Sequence, residues 1–188
     1  MWGFLRKCIQ RHGQLNMNRR HFDFLFAIVS VQNRNLTITV KSTLYDLYID
    51  GTKRNSTYGT NWTHPDTIPL GPLNRLIGAM AIDSTETCAG LIASATGDYL
   101  VTDDVNWRCG YIPDPQWYQF EWDDSVWDPA YIVGPNYNVT WPTPCQILTG
   151  SPSISPAANW IWTNTIPDTP YYHQTVYCRG YLRKSLEF

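Results

Sequence analysis

Hydrophobic and polar residues alternate along residues 36–41, where Leu36, Ile38 and Val40 are separated by Thr37, Thr39 and Lys41. That two-residue period is the mark of a half-buried strand. After polar Ser42 and Thr43 the parity flips, placing Tyr45, Leu47 and Ile49 on one face and Asp46, Tyr48 and Asp50 on the other. Asp50-Gly51 ends the run in a tight turn, because glycine takes positive φ without a steric penalty. The pattern predicts two paired strands at the start of an all-β domain, and no helical spacing fits it.

The polar stretch 52–72, rich in Thr, Asn, Gly and Pro, is too long for a hairpin and reads as a candidate functional loop. The small apolar run 76–82 predicts a strand buried on both faces or crossed by a neighbour. Residues 90–95 form another, answered across the Thr96-Gly97-Asp98 turn by 99–102, and Asp103-Asp104 leads into 105–109. The aromatic middle offers a strand over 117–122, with Asp123, Asp124 and Ser125 capping a turn. Residues 134–156 read as an ordered loop, and 158–163 and 175–182 close the domain. Roughly eight short strands argue a β-sandwich of the jelly-roll kind. The expected organisation is a signal peptide or disordered tail over 1–32, the sandwich over 33–183, and a short tail over 184–188.

Composition changes this picture only in detail. With 188 residues the chain can bury a full core in one domain. A net charge of −2 and 16% charged residues give no electrostatic footprint for nucleic acid or an anionic membrane. Nine Trp, twelve Tyr and thirteen Pro favour short strands and rigid loops over helices. No run of about 18 apolar residues offers a transmembrane helix.

Two features point to the secretory route. Asn35, Asn55, Asn61 and Asn138 each begin an N-glycosylation triplet. Residues 17–32 read as a basic head, Arg19 and Arg20, followed by a short apolar body that Asp23 interrupts, with Met17 as the natural start of such a signal. Cys88, Cys109, Cys145 and Cys178 form an even set within the domain, which fits two disulfides. Of the three pairings open to them, the sequential one, Cys88–Cys109 and Cys145–Cys178, is preferred. Zinc is disfavoured because the cysteines form no CxxC pair and the four His are scattered.

The segments LYIDG, GLIAS, LVTDDVNWRC, WDDSVWDPA, ANWIWT and VYCRGYL follow one another in this order. Together they resemble the galactose-binding-like jelly rolls, and among these the N-terminal carbohydrate-binding domains attached to bacterial α-L-rhamnosidases and related secreted stand-alone domains. Residues 45–51 are similar to that family's YxLYVNG hairpin, with Ile49 for Val and Asp50 for Asn. Residues 102–107, 122–127 and 160–162 are similar to its TD..W, FDDSSW and WIW segments. The resemblance spans nearly all of 33–183 and implies a jelly-roll sandwich and carbohydrate binding. Lys41-Ser42-Thr43 stands where the relatives carry an acidic residue and an asparagine, so a sugar or calcium site relying on that pair does not carry over.

Trp rings stack on the apolar faces of sugars. Trp107, Trp127, Trp160 and Trp162 lie within or at the ends of strands and are expected in the core. Trp62, Trp117 and Tyr118 lie in loops or at a strand start and, with His64 and Asp66 of the NWTHPD stretch, are the candidate ligand contacts. Asp83, Ser84 and Glu86 form the densest single-loop oxygen cluster and are the candidate ligands of a structural Ca2+. Asp103-Asp104 and Asp123-Asp124 precede Trp residues at turns, where Asp caps backbone N–H groups, rather than forming a glycosidase pair. No GxSxG elbow supplies a nucleophile. The expected protein is a secreted, extracellular, non-catalytic module whose partner is a carbohydrate or glycoprotein. A structural or adhesive protein-interaction domain, or an accessory domain of a glycoside hydrolase, is the alternative.

Overall fold

The structure is a computed structural model that describes residues 34–41, 43–54, 62–83, 89–111, 114–136, 151–163 and 175–182. These build an all-β sandwich of two packed antiparallel sheets. The strands are β1 (Arg34–Lys41), β2 (Thr43–Ile49), β3 (Thr52–Lys53), β4 (Asp66–Leu70), β5 (Leu76–Ile82), β6 (Gly90–Ala95), β7 (Leu100–Val101), β8 (Trp107–Gly110), β9 (Asp128–Pro129), β10 (Tyr131–Pro135), β11 (Asn159–Trp162) and β12 (Thr175–Tyr181). One sheet runs β10-β11-β6-β1-β4 with β7 beside β6, and the other runs β3-β2-β5-β12-β8-β9. No helix among the described residues is long and apolar enough to cross a membrane.

The core lies between the sheets and follows the period-2 rule. Leu36, Ile38, Val40, Leu91, Ala93 and Ile161 from the first sheet meet Leu47, Ile49, Ile77, Ala79, Trp107 and Val176 from the second. At about 25 cal/mol per Å2 of apolar surface, each of the larger aliphatic side chains contributes roughly 1.5–3 kcal/mol on burial. Of the four Trp expected in the core, Trp107 and Trp162 lie in it; Trp160 is fully buried in a second cluster with Ile92, Ile154 and Ala158, and Trp127, 7% exposed, packs against Trp117 and Trp122 instead.

The first expectation to change concerns the opening strands. β1 and β2 do not pair: β1 lies between β4 and β6, and β2 pairs β3 and β5 in the opposite sheet. The parity flip at residues 42–43 therefore marks a change of sheet, since each strand must aim its apolar face at the same core from opposite sides. Within β2 the register shifts between Leu44 and Asp46. Leu44, Leu47 and Ile49 face the core, and Tyr45, the extra residue of the bulge, is 59% exposed.

Asp50-Gly51 forms the turn as read, with φ of 46° and 77° joining Ile49 to Thr52. Asp50 does more than tolerate the turn. Its carboxylate accepts hydrogen bonds from the backbone N–H groups of Arg75 and Leu76 and from the Asn74 amide, pinning the hairpin to the start of β5.

Two strands were hidden in stretches that read as loops. β4 lies inside the polar 52–72 stretch and pairs β1 at the sheet edge, where Pro69 costs no ladder hydrogen bond on its open side. β10 occupies residues otherwise read as aromatic loop, and its ladder with β11 is broken by a register shift between Ile132 and Gly134. Conversely, the strand expected over 117–122 is a series of turns.

The preferred cysteine pairing is overturned. Cys109 and Cys178 are bonded to each other, which excludes both Cys88–Cys109 and Cys145–Cys178. The two residues stand directly opposite in the β8–β12 ladder with Cα atoms 4.2 Å apart, near the spacing of a non-hydrogen-bonded antiparallel pair. Sequence proximity favours local staples, but the ladder brings together residues 69 apart. Cys88 and Cys145 lie outside the described residues.

Candidate functional site

The outward face of the β3-β2-β5-β12-β8-β9 sheet is roofed by residues 114–127, which carry the densest aromatic packing among the described residues. The roof has room because two outward strand positions are glycines. A Cβ on Gly78 would lie 3.2 Å from the Trp117 ring, and one on Gly110 would lie 2.7 Å from Trp127. Trp117, 5% exposed, meets Tyr48 and Tyr177 edge-on at 5.5 and 5.2 Å between centroids. Tyr118 stacks flat on Tyr48 at 4.3 Å, and Trp122 meets Trp127 at 4.8 Å. Tyr48 is itself held by its hydroxyl, which donates to Asp46, the ion-pair partner of Lys53. Burial together with the Asp46 charge pushes the Tyr48 phenol above its usual pKa.

Beneath Trp122 and Trp127 sits a charged knot. Arg179 on β12 is fully buried, donates to the Trp122 carbonyl and lies 3.3 Å from Asp124 Oδ2. Its guanidinium also lies over the Trp122 ring at 5.0 Å. Asp124 takes a further bond at 2.5 Å from the Tyr181 hydroxyl and a longer contact from Arg108, which donates to the Trp127 carbonyl. One carboxylate thus serves two guanidiniums and a phenol, and the roof is tied to β8 and β12 by charge as well as by rings.

Burial and the bond to Asp124 push the Tyr181 phenol up to about 12. A raised folded-state pKa adds stability that is complete below the unfolded value, near 10, and is lost as the pH climbs through the folded one. Between about pH 10 and 12 the domain is expected to lose roughly 1–2 kcal/mol from this group, discounted for its partial exposure. Urea unfolding across that range, compared with Tyr181→Phe, checks it; an equally steep decline in the variant would remove Tyr181 as the cause.

Above this base the roof opens into a concavity of about 610 Å3. It is lined by the aromatic Tyr118 and Trp122, the amide-bearing Gln116 and Gln119, and the acidic Glu121 and Asp123, together with Pro115. Short turns set the spacing: Asp114 caps Gln116 and Trp117, and the Gln119 N–H donates to the Gln116 carbonyl. The Asp123 carboxyl is held below its usual range mainly by the Ser125 N–H. In a separate turn Asp103 accepts from the N–H groups of Val105 and Asn106 in the same manner. A smaller hollow of about 460 Å3 is lined by Asp104, Asp128, Tyr131 and Ile132.

The predicted ligand contacts are divided between the two outer faces of the sandwich. Trp62, half-buried, leans edge-on against Trp160 over the first sheet, its carbonyl accepting from Thr39. His64 is exposed and hydrogen-bonded to the neighbouring Thr63, and Asp66 opens β4. Trp117 and Tyr118 belong to the opposite face, where Tyr118 lines the concavity and Trp117 forms the layer below. The two groups therefore do not converge on one site. Gln116, Gln119 and Trp122 escaped sequence reasoning, because only the turns of the roof bring them beside Tyr118.

No family model matches the chain, and neither the curated proteins nor the solved structures yield a match. The site must be read from its own chemistry.

Among the described residues no three His, Cys, Asp or Glu side chains gather in a way that would hold a metal ion. Of the calcium candidates only Asp83 is described, half-buried just after β5; Ser84 and Glu86 lie outside the described residues. Of the glycosylation candidates, Asn35 lies on β1, opposite Pro69 of the edge strand β4, and Asn55, Asn61 and Asn138 lie outside the described residues.

Proposed function

We propose that this chain is a secreted, non-catalytic carbohydrate-binding module of the galactose-binding-like jelly-roll kind, and that it binds sugar in the concavity above Tyr118 and Trp122. The observation that carries the reading is the pairing of two partly exposed rings with two amides on a rigid base. Rings offer flat apolar surface to sugar C–H groups, and amides can both donate to and accept from hydroxyls. Tyr118 gives up little freedom on binding, because its other face is already stacked on Tyr48. The Cys109–Cys178 bond fits an oxidising compartment, in keeping with the four glycosylation triplets of the sequence.

Tyr118→Ala is expected to weaken glycan binding about tenfold while leaving the fold intact, since the ring sits on the surface of the roof. A glycan array on the intact domain, followed by calorimetry on the best ligand with and without the substitution, measures this. Failure of the intact domain to bind any glycan would overturn the reading.

An adhesive role is the second reading, favoured by one observation. Val105 and Tyr131 are 83% and 51% exposed, and Tyr131 lines the smaller hollow with Ile132. Exposed apolar groups of this kind mark protein contacts when they are contiguous. Self-association in light scattering, without glycan affinity, would favour it.

A further inference from the structure

A site for neutral sugars needs no charge, yet the concavity holds two exposed carboxylates, Glu121 and Asp123. Among the described residues no lysine, arginine or histidine lines it. Four cations of this face are engaged elsewhere, and one of them, Lys53, pairs with Asp46. Arg179 is fully buried against Asp124 and the Trp122 carbonyl, Arg108 donates to the Trp127 carbonyl, and Arg75 lies over the Phe120 ring at 3.7 Å. The ion pairs of the knot run to Asp124; Arg108 and Arg179 also act on Asp123 through space, more weakly than its bond to Ser125, but neither forms an ion pair with Asp123 or Glu121. Asp123 Oδ1 accepts from the Ser125 N–H, which fixes the carboxylate at the rim without cancelling its charge.

We infer that Glu121 and Asp123 give the concavity a charge preference: among glycans it takes those carrying free amino groups, the deacetylated hexosamines, ahead of neutral sugars, and it rejects those carrying carboxylates. The inference rests on the carbohydrate reading and adds the class of ligand. An ammonium that reaches one exposed carboxylate gains roughly two- to fivefold in affinity. With one carboxylate on each of two nearby rim positions, a ligand bearing several ammonium groups gains roughly tenfold. A uronate, carrying the like charge, loses by a similar factor. The gain is electrostatic at an exposed surface and shrinks as salt is raised beyond the physiological range.

The test is calorimetric titration of the intact domain with three oligosaccharides of equal length: β-1,4-linked glucosamine, its fully N-acetylated counterpart, and galacturonate. Mildly acidic buffer keeps the amines of the glucosamine oligosaccharide protonated. The expected result is an order of glucosamine, then N-acetylglucosamine, then galacturonate, with about tenfold between the first two at low salt. The ratio of the first two should fall towards one in the Glu121→Gln/Asp123→Asn variant. Equal binding of the first two, or tighter binding of galacturonate, overturns the charge preference and leaves the carbohydrate reading standing. A ratio unmoved by the double substitution overturns the assignment to these two residues. Binding of none of the three overturns the preference, and the glycan array then decides the carbohydrate reading separately.

Discussion

Replacing Cys109 and Cys178 together by alanine is expected to lower the unfolding free energy by about 4 kcal/mol. The bond closes a loop of 69 residues, and on the chain-entropy account a cross-link of that span removes about this much freedom from the unfolded state. For a domain of this size the melting temperature should fall by roughly 10 °C. The residues face the core at 1% and 0% exposure, so alanine avoids burying a new polar group. Thermal melts of the parent and double variant under non-reducing conditions measure the difference. An unchanged midpoint would show that the β8–β12 ladder holds the two strands together without the bond.

The second large effect is expected from Asp124→Ala, which should cost about 3–5 kcal/mol. Its removal strands the fully buried Arg179 without its counter-charge, and an uncompensated buried charge is far more costly than an absent ion pair. The argument has an internal control. Adding Arg179→Met to Asp124→Ala should recover part of the loss, because methionine fills the space and asks for no partner. Chemical denaturation of the two single variants and the double gives the coupling directly. If the double variant is less stable than Asp124→Ala alone, the buried guanidinium is contributing through its contacts with Trp122 and Tyr181, and not through its pairing with Asp124.

The sandwich itself was legible because its core strands alternate cleanly. Leu36, Ile38 and Val40 can be buried in only one way, and the continuous apolar run of β5 asks for cover on both faces. What the alternation could not reveal was which strand lies beside which. The flip at residues 42–43 is equally compatible with a hairpin and with a crossing to the facing sheet, and periodicity is blind to the difference. Tyr45 was placed on the wrong face for a related reason: one extra residue in a bulge reverses parity without leaving a signature in composition. β4 was masked by Pro69, which argues against a strand except at an edge, and whether a strand is an edge is a tertiary fact. The disulfide was misread through the same gap, since pairing by nearness in sequence ignores ladders between distant strands.

The candidate site was legible in part. Tyr118 was singled out from its loop position, and it lines the concavity. Trp117, its neighbour, faces the other way because Gly78 leaves a space that an indole fills. The division of Trp62, His64 and Asp66 from Trp117 and Tyr118 follows from the sandwich: loops that look equivalent in sequence cover opposite outer faces.

The placement of β12 carries a consequence for how the chain is made. This strand, residues 175–181, lies between β5 and β8 in the middle of its sheet and brings both Cys178 and Arg179. A nascent chain that has emerged only as far as β11 has a sheet with its central rung missing, and the thiol of Cys109 has no lawful partner. During that interval other cysteines compete for Cys109, and the roof over residues 114–127 has no β12 to rest on. Completion of this sheet thus waits until residues 175–181 have emerged, as expected where long-range pairings dominate. A pulse-chase on non-reducing gels should show non-native bonded forms before the native one.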